Sequence, residues 1–471
     1  MDRLCLWILP AALFWLQHAR ATGAFTCRCF PGEPCWPSAR QWSDFNATLN
    51  GRLIATVPIS SVCHTRGEFA AYDERACADL ISNWQRPITH YATSSSPMAA
   101  WFANFSCSPF LSAETPCTAD ALQRYAVNVS GVEDVQKTLQ FAREHNIRLV
   151  IRNTGHDYLG KSTAPGALAL WTHHLKEIRH LHYTSPSYNG SAMRLGAGVQ
   201  GFEGMMAAYT QGKVIVTGNC ESVGVVGGYT QGGGHGQLAS QFGLAADQVL
   251  EWEVVTAAGE LLIASSTDNS DLFWALSGGG GGTFGVVLGV TVKTHPEMAT
   301  ASATLSFGGP GAVPSIFWDI VRTFVVSITP LIDAGAVGIW EIMGSSFRLT
   351  PIALPGGTVQ QLQDALAPTL VLLQQYNLTH EYHINNFSTF WESYGAMNPP
   401  SNITEAQLGG RLIPRKTLES NPDGLISALK SIAALGVVIS GVSLNVSRAA
   451  LPYNAVNPAW REAAISVVLG T

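Results

Sequence analysis

The sequence predicts an α+β protein in two parts, a glycine-dense domain followed by an α/β domain. Three observations carry this. The chain has 471 residues, more than one hydrophobic core usually serves. Apolar residues make up 46% and charged residues 13%, a composition that packs rather than stays disordered. Helix and strand periodicities alternate around glycine runs up to about residue 298, where the cysteines and glycine motifs stop. The net charge of -6 offers no basic field, so nucleic acid is not an expected partner.

Residues 1–21 read as a secretory signal. Arg3 precedes the apolar run Leu4–Leu16, and Ala19-Arg20-Ala21 has the small-x-small form of a cleavage site. The run is shorter than the ~20 residues that span a bilayer, and no later stretch reads as long and apolar enough. Residues 22–115 are rich in Cys and Pro and read as a loop-rich lead-in tied by disulfides. Cys27, Cys29, Cys35, Cys63, Cys77, Cys107 and Cys117 crowd there, an odd number, so one is free or paired elsewhere. Cys27-x-Cys29 has no His-rich partner at zinc spacing, so no metal is expected. Sequons stand at Asn46, Asn104, Asn128, Asn189, Asn377, Asn386, Asn402 and Asn445. With the signal, they predict a glycosylated protein of the secretory pathway.

Residues 116–298 hold the first regular domain. Ser130-Gly131-Val132-Glu133 reads as a capping box with Ser130 at the N-cap. Val135, Leu139 and Ala142 then share a helical face. The strand Ile147–Ile151 leads into the polar loop Asn153-Thr154-Gly155-His156-Asp157-Tyr158. Ala167–Trp171 and Met193–Val199 read as strands, Gly201–Tyr209 as a helix and Val214–Thr217 as a buried strand. Leu250–Val255 and Glu260–Ala264 flank Ala257-Ala258-Gly259 as a hairpin. Asp271–Leu276 is a short helix, and Gly285–Thr294 is a strand closed by Pro296. Residues 299–471 form the second domain.

Glycine costs backbone entropy, so the dense run Gly218–Gly236 needs a reason. One is a ligand lying on main-chain amides; the other is a set of tight turns. A dinucleotide fingerprint does not fit the spacing, and no G-x-x-x-x-G-K-[ST] occurs. Two reactive side chains sharpen the choice: His156 in its polar loop, and Cys220 inside the glycine run, apart from the other cysteines. The cluster His173, His174, His180 and His182 matches no common metal spacing and reads as a solvated loop.

The run Arg152–Tyr158 resembles the pyrophosphate loop of the vanillyl-alcohol-oxidase / p-cresol-methylhydroxylase (PCMH) class of FAD enzymes. Cys220-x-x-Val223-Gly224, the following Gly227-Gly228, and Gly232-Gly233-Gly234-x-Gly236 resemble the second flavin segment of its berberine-bridge-enzyme-like branch. Gly243-Leu244-Ala245-Ala246-Asp247, Asp271–Ala275 and Gly278–Gly285 are similar to that branch too, in its fungal FAD-linked oxidoreductase form.

The resemblance implies a PCMH-type two-part FAD-binding domain followed by an α/β substrate domain. It implies FAD held covalently by His156 and Cys220. It places Asn153, Thr154, Gly155, Asp157, Gly218, Val223, Gly224, Gly227, Gly228, Gly232, Gly233, Gly234, Leu244 and Asp247 around the cofactor. Tyr158 becomes the candidate catalytic side chain, with no base named. Val223 falls where the family controls oxygen access, and its small size favours O2 as electron acceptor. Tyr229 stands where many members carry His. Members of the family continue beyond the residues matching Asn457–Arg461, so the substrate domain is expected to be C-terminally shortened. The implied function is a secreted FAD-dependent oxidase of a small natural-product substrate. A carbohydrate oxidase, or a secreted non-catalytic flavin-binding protein, are the alternatives.

Overall fold

The computed structural model describes residues 27–403, 407–447 and 453–470. The expected signal at 1–21 lies outside them.

Three sheets organise the chain. The first has four strands in the order Leu53–Ala55, Tyr125–Asn128, Leu168–Trp171 and Leu149–Arg152, the last two pairings parallel. The second is an antiparallel sheet of five, in the order Ile178–Ser185, Tyr188–Gly196, Val286–Lys293, Val249–Val255 and Leu261–Ser265. From Thr300 onward the chain builds a seven-stranded antiparallel sheet covered by helices.

The lead-in is more regular than expected. Ser38 accepts a hydrogen bond from the Gln41 amide while the Gln41 side chain accepts from the Ser38 amide, and this box starts the helix Ala39–Thr48. That helix buries Trp42 and Phe45 against Phe141 and Tyr125. Leu53–Ala55 then joins the first sheet. Trp36, Trp42, Phe45, Leu49 and Leu53 of the lead-in thus share a core with residues of the first domain. Disulfides join Cys29 to Cys35, Cys63 to Cys77 and Cys107 to Cys117; Cys27, exposed, is the odd thiol.

Three further readings change. The helix Val132–Glu144 has Gly131 at its N-cap. Ser130 instead donates from its amide and hydroxyl to Asp134, both at 2.8 Å, because that buried carboxylate is already fixed by Arg52. Of the expected strand Val214–Thr217 only Val214 pairs, within the short strand Lys213–Val214 against His295–Pro296. Pro314–Ala334 is 21 residues long with a mean hydropathy of 1.5, so a later stretch does have the length and apolarity of a membrane span. It comprises two helices, Pro314–Ser327 and Thr329–Ala334, and Phe317, Ile320, Val321 and Phe324 pack on the seven-stranded sheet. It is read as a core helix pair.

The two domains meet at two apolar patches. Ala239, Leu244 and Ala246 pack against Val337, Val442, Leu444 and Val456. Met205, Val214, Leu238 and Ala245 pack against Phe390 and Tyr394. A polar joint lies beside the first. Arg461 donates two hydrogen bonds of 2.7 Å to Asp247, and Asn454 adds a third at 2.8 Å.

Candidate active site

The loop carrying His156 leaves the parallel strand Leu149–Arg152 and turns sharply at Gly155, whose φ is +87°. A Cβ there would lie 2.8 Å from the Arg152 guanidinium, so both backbone angle and space require glycine. Arg152 is fully buried beneath the turn. It donates to the carbonyls of His90, Thr93 and Ser96, and its Nη1 has no partner. Burial pulls it down to about 10. Burial first, and the Arg152 charge second, pull His156 down to about 4. The imidazole is therefore neutral near pH 7, with a lone pair available for bonding.

Asp157 closes the loop by accepting from the amides of Leu159 and Ser162, so its carboxylate serves the turn. Asn153 donates to Thr172 Oγ1 and to the Ala197 carbonyl, while its Oδ1 is buried without a partner. A Cβ at Gly224 would lie 2.1 Å from that oxygen, and one at Gly227 would lie 3.2 Å from the same side chain. The two sequence-distant loops are thus locked together. Thr154 is buried; Tyr158 is 47% exposed at the mouth of the loop.

Cys220 meets His156 at this junction. Its Sγ lies 4.0 Å from His156 Nε2. Ser222 Oγ stands between them, 2.8 Å from Nε2 and 3.4 Å from Sγ. Gln200 Nε2 donates to the Ser222 carbonyl and the Gly201 amide to the Val223 carbonyl, fixing the loop to the start of helix Gly201–Tyr209. Val223 is half-buried.

The glycines divide between the two readings of the run. Gly218 and Gly234 are required by the Tyr229 ring, which a Cβ would approach to 3.1 and 2.8 Å, and Gly232 by the Gly228 carbonyl. Gly233 has a φ of +113°. These belong to tight packing. Gly228 has open space beside it, and the loop Gly278–Gly282 runs alongside, its amides at 278 and 280 donating to the Gln231 carbonyl. Open backbone at Gly228, a buried guanidinium under Gly155 with its Nη1 unpartnered, and a His–Cys pair 4.0 Å apart fit an anionic, planar group.

Two of the expected cofactor residues make their side-chain contacts at the domain joint. Asp247 accepts from Arg461, Asn454 and the Leu244 amide, so its carboxylate is spent on the domain joint. Leu244 is buried in the same joint. The four clustered histidines are not one solvated loop, which corrects that reading: His180 and His182 lie in strand Ile178–Ser185, while His173 and His174 precede it with ring centroids 5.2 Å apart. His174 bonds Asn128 and His182 bonds Asn189, while the buried His173 stacks on Trp171.

Sequence reasoning gave no role to Arg152 or Ser222, although both sit inside quoted motifs. It missed Tyr394 altogether. That side chain comes from helix Phe390–Met397 of the second domain and donates at 2.9 Å to the Asn219 carbonyl, next to Cys220. Burial pushes its phenol well above the ordinary range, so it stays protonated. No local pattern connects residues 175 positions apart.

Comparison with known proteins agrees with this geometry. A family model described as "FAD binding domain" matches residues 124–265. The chain is 46% identical over 462 residues to the FAD-linked oxidoreductase sor8 of Hypocrea jecorina, covering 98% of this chain and 79% of that one. It is 39% identical over 449 residues to the bifunctional decalin synthase calF of Penicillium decumbens, covering 93% and 78%. A VAO-type flavoprotein from Myceliophthora thermophila superposes with a TM-score of 0.88 at 39% identity, covering 94% of this chain and 82% of that one. The matched FAD-binding domain contains both loops, and the chain belongs to the fungal FAD-linked oxidoreductases of the VAO type.

Proposed function

We propose that the protein is a secreted oxidase that holds FAD by two covalent bonds, from His156 and Cys220, and oxidises a small natural-product substrate with O2 as acceptor. The observation that carries the reading is the meeting of His156 Nε2 and Cys220 Sγ at 4.0 Å, from loops far apart in sequence. Bound FAD supplies the redox chemistry, taking a hydride equivalent from a substrate C–H and yielding the electrons to oxygen.

The chain's own residues bind, orient and shield. Burial first, and the Arg152 charge second, keep His156 neutral, and the Arg152 guanidinium packs directly under Gly155 of its turn. Asn153 and Gly224 hold the two loops in register. Tyr394 brings the second domain against the Cys220 loop, which supports a substrate site between that domain and the cofactor. Tyr158, exposed at the mouth, is the side chain placed to orient a substrate hydroxyl or amine. Val223, half-buried and small beside the Cys220 loop, supports oxygen as acceptor. A relative named a decalin synthase supports a multi-ring natural product over a sugar.

Secretion is supported by the disulfides and the sequons. Asn104, Asn189, Asn377, Asn386 and Asn402 are exposed, and Asn46 and Asn128 half-buried. Asn445 is withdrawn as a glycan site, because it is 9% exposed and its amide donates to Asp333.

The test is to denature the purified protein and ask whether yellow colour stays with the precipitate. Wild type should retain flavin, His156→Ala and Cys220→Ala should each retain it through the other link, and the double variant should lose it. Colourless wild-type precipitate overturns the covalent assignment.

A further inference from the structure

Between the two linking side chains stands one hydroxyl. Ser222 Oγ is 2.8 Å from His156 Nε2 and 3.4 Å from Cys220 Sγ, while the nitrogen and sulfur are 4.0 Å from each other. Ser222 is buried, and its main chain is fixed independently of its side chain. The carbonyl accepts from Gln200 Nε2 at 2.8 Å, and Gln200 is itself held by Lys176. The hydroxyl is therefore delivered to this point by the fold.

A hydroxyl donates one proton and accepts through its lone pairs. Its two neighbours force a choice of direction. If Ser222 donates to Nε2, the neutral ring carries its proton on Nδ1, and neither ring nitrogen has a free lone pair. If Nε2–H donates to Ser222 Oγ, Nδ1 carries the free lone pair, and the Ser222 proton turns to the Cys220 sulfur. Only the second arrangement leaves both linking atoms ready to bond. His156 has a nucleophilic nitrogen, and the sulfur is the acceptor of a hydrogen bond, the role it fills with its own proton gone. A neutral ring is the condition for either arrangement, and burial first, with the Arg152 charge second, supports it.

We propose that Ser222 is the positioning residue for both flavin links: its single hydroxyl accepts from His156 Nε2–H and donates to Cys220 Sγ, setting the imidazole tautomer and orienting the sulfur together. This rests on the doubly linked reading above. Ser222 forms no bond to the cofactor. It acts through the two residues that do, so its loss slows both links in common, where a defect in either loop alone would slow one.

The experiment uses the full chain produced under riboflavin limitation and then supplied with FAD. Wild type, Ser222→Ala and Ser222→Thr are sampled over time, denatured and digested, and flavin is quantified separately on the His156 and Cys220 peptides. Loss of one hydrogen bond to each linking side chain, at His156 Nε2–H and at Cys220 Sγ, predicts link formation about tenfold slower on both peptides in Ser222→Ala. Ser222→Thr, which restores a hydroxyl, should recover to near the wild-type rate. Thermal unfolding of the three proteins before FAD addition separates a folding defect from a positioning one, and Thr rescue does so even if Ala unfolds. Wild-type rates on both peptides in Ser222→Ala overturn the proposal and leave the doubly linked reading standing. So does slowing confined to one peptide, or a folded Thr variant as slow as Ala. A wild-type chain that never retains flavin overturns the doubly linked reading and this proposal with it.

Discussion

Replacing Arg461 by Met removes one half of the joint between the domains and leaves the other half buried. The Asp247 side chain is 2% exposed and the Arg461 side chain 14%, and the pair makes two bonds of 2.7 Å. Asp247 keeps Asn454 Nδ2 and the Leu244 amide, so its charge is not left without donors. Breaking a buried pair on one side usually costs 3–5 kcal/mol, and the two surviving donors place this case at the low end, about 3 kcal/mol. That corresponds to roughly a hundredfold more of the opened form. Native-state proteolysis follows the opened population when reclosing is fast, so cleavage should accelerate by about the same factor. The sign has an internal control. In Asp247→Asn/Arg461→Met no charge is stranded, so the double variant should be cleaved more slowly than Arg461→Met alone. A single variant indistinguishable from wild type, or a double variant worse than the single, would refute the argument that a stranded carboxylate sets the cost.

Two further outcomes follow from groups on the page. His90 is fully buried between Ser96 and the Trp84 carbonyl, and burial pulls it down to about 4. The unfolded chain binds a proton near pH 6.5 and the folded one does not until about 4. Stability from this group is therefore complete above 6.5 and falls as pH drops toward 4, by about 1.4 kcal/mol per pH unit; His90→Gln should flatten the measured slope of unfolding free energy against pH in that window. Gly155→Ala adds a Cβ 2.8 Å from Arg152 at a φ of +87°. It should cost about 1–3 kcal/mol of loop strain and lower the flavin-to-protein absorbance ratio of purified enzyme, and an unchanged ratio with unchanged stability would show that the turn relaxes freely.

Local chemistry was legible wherever a residue's role depends on its neighbours in sequence. The helix Gly201–Tyr209 was read to the residue, because its apolar face and flanking signals lie within a few turns. The hairpin across Ala258-Gly259 was read from its turn. The lead-in helix Ala39–Thr48 was not legible although its Ser38–Gln41 box is present, since its buried face is set by packing on Tyr125 and Phe141, far along the chain. The motifs carried the family and the pair His156 and Cys220, which the fold then brought to 4.0 Å.

Amino-acid order alone determined the composition of the cofactor loops, the need for glycine at a tight turn and the candidate nucleophiles. Tertiary structure alone decided which glycines serve packing, as Gly218 and Gly234 do for Tyr229, and which leave backbone open, as Gly228 does. It turned Asp247 from an expected cofactor residue into the partner of Arg461, and it set Ser222 between two side chains and Tyr394 beside Asn219. The reason is physical. Turn geometry and helix periodicity act over a few residues of covalent chain. A carboxylate or hydroxyl takes its role from whichever donors and acceptors the burial of distant apolar surfaces happens to bring within 3 Å or so.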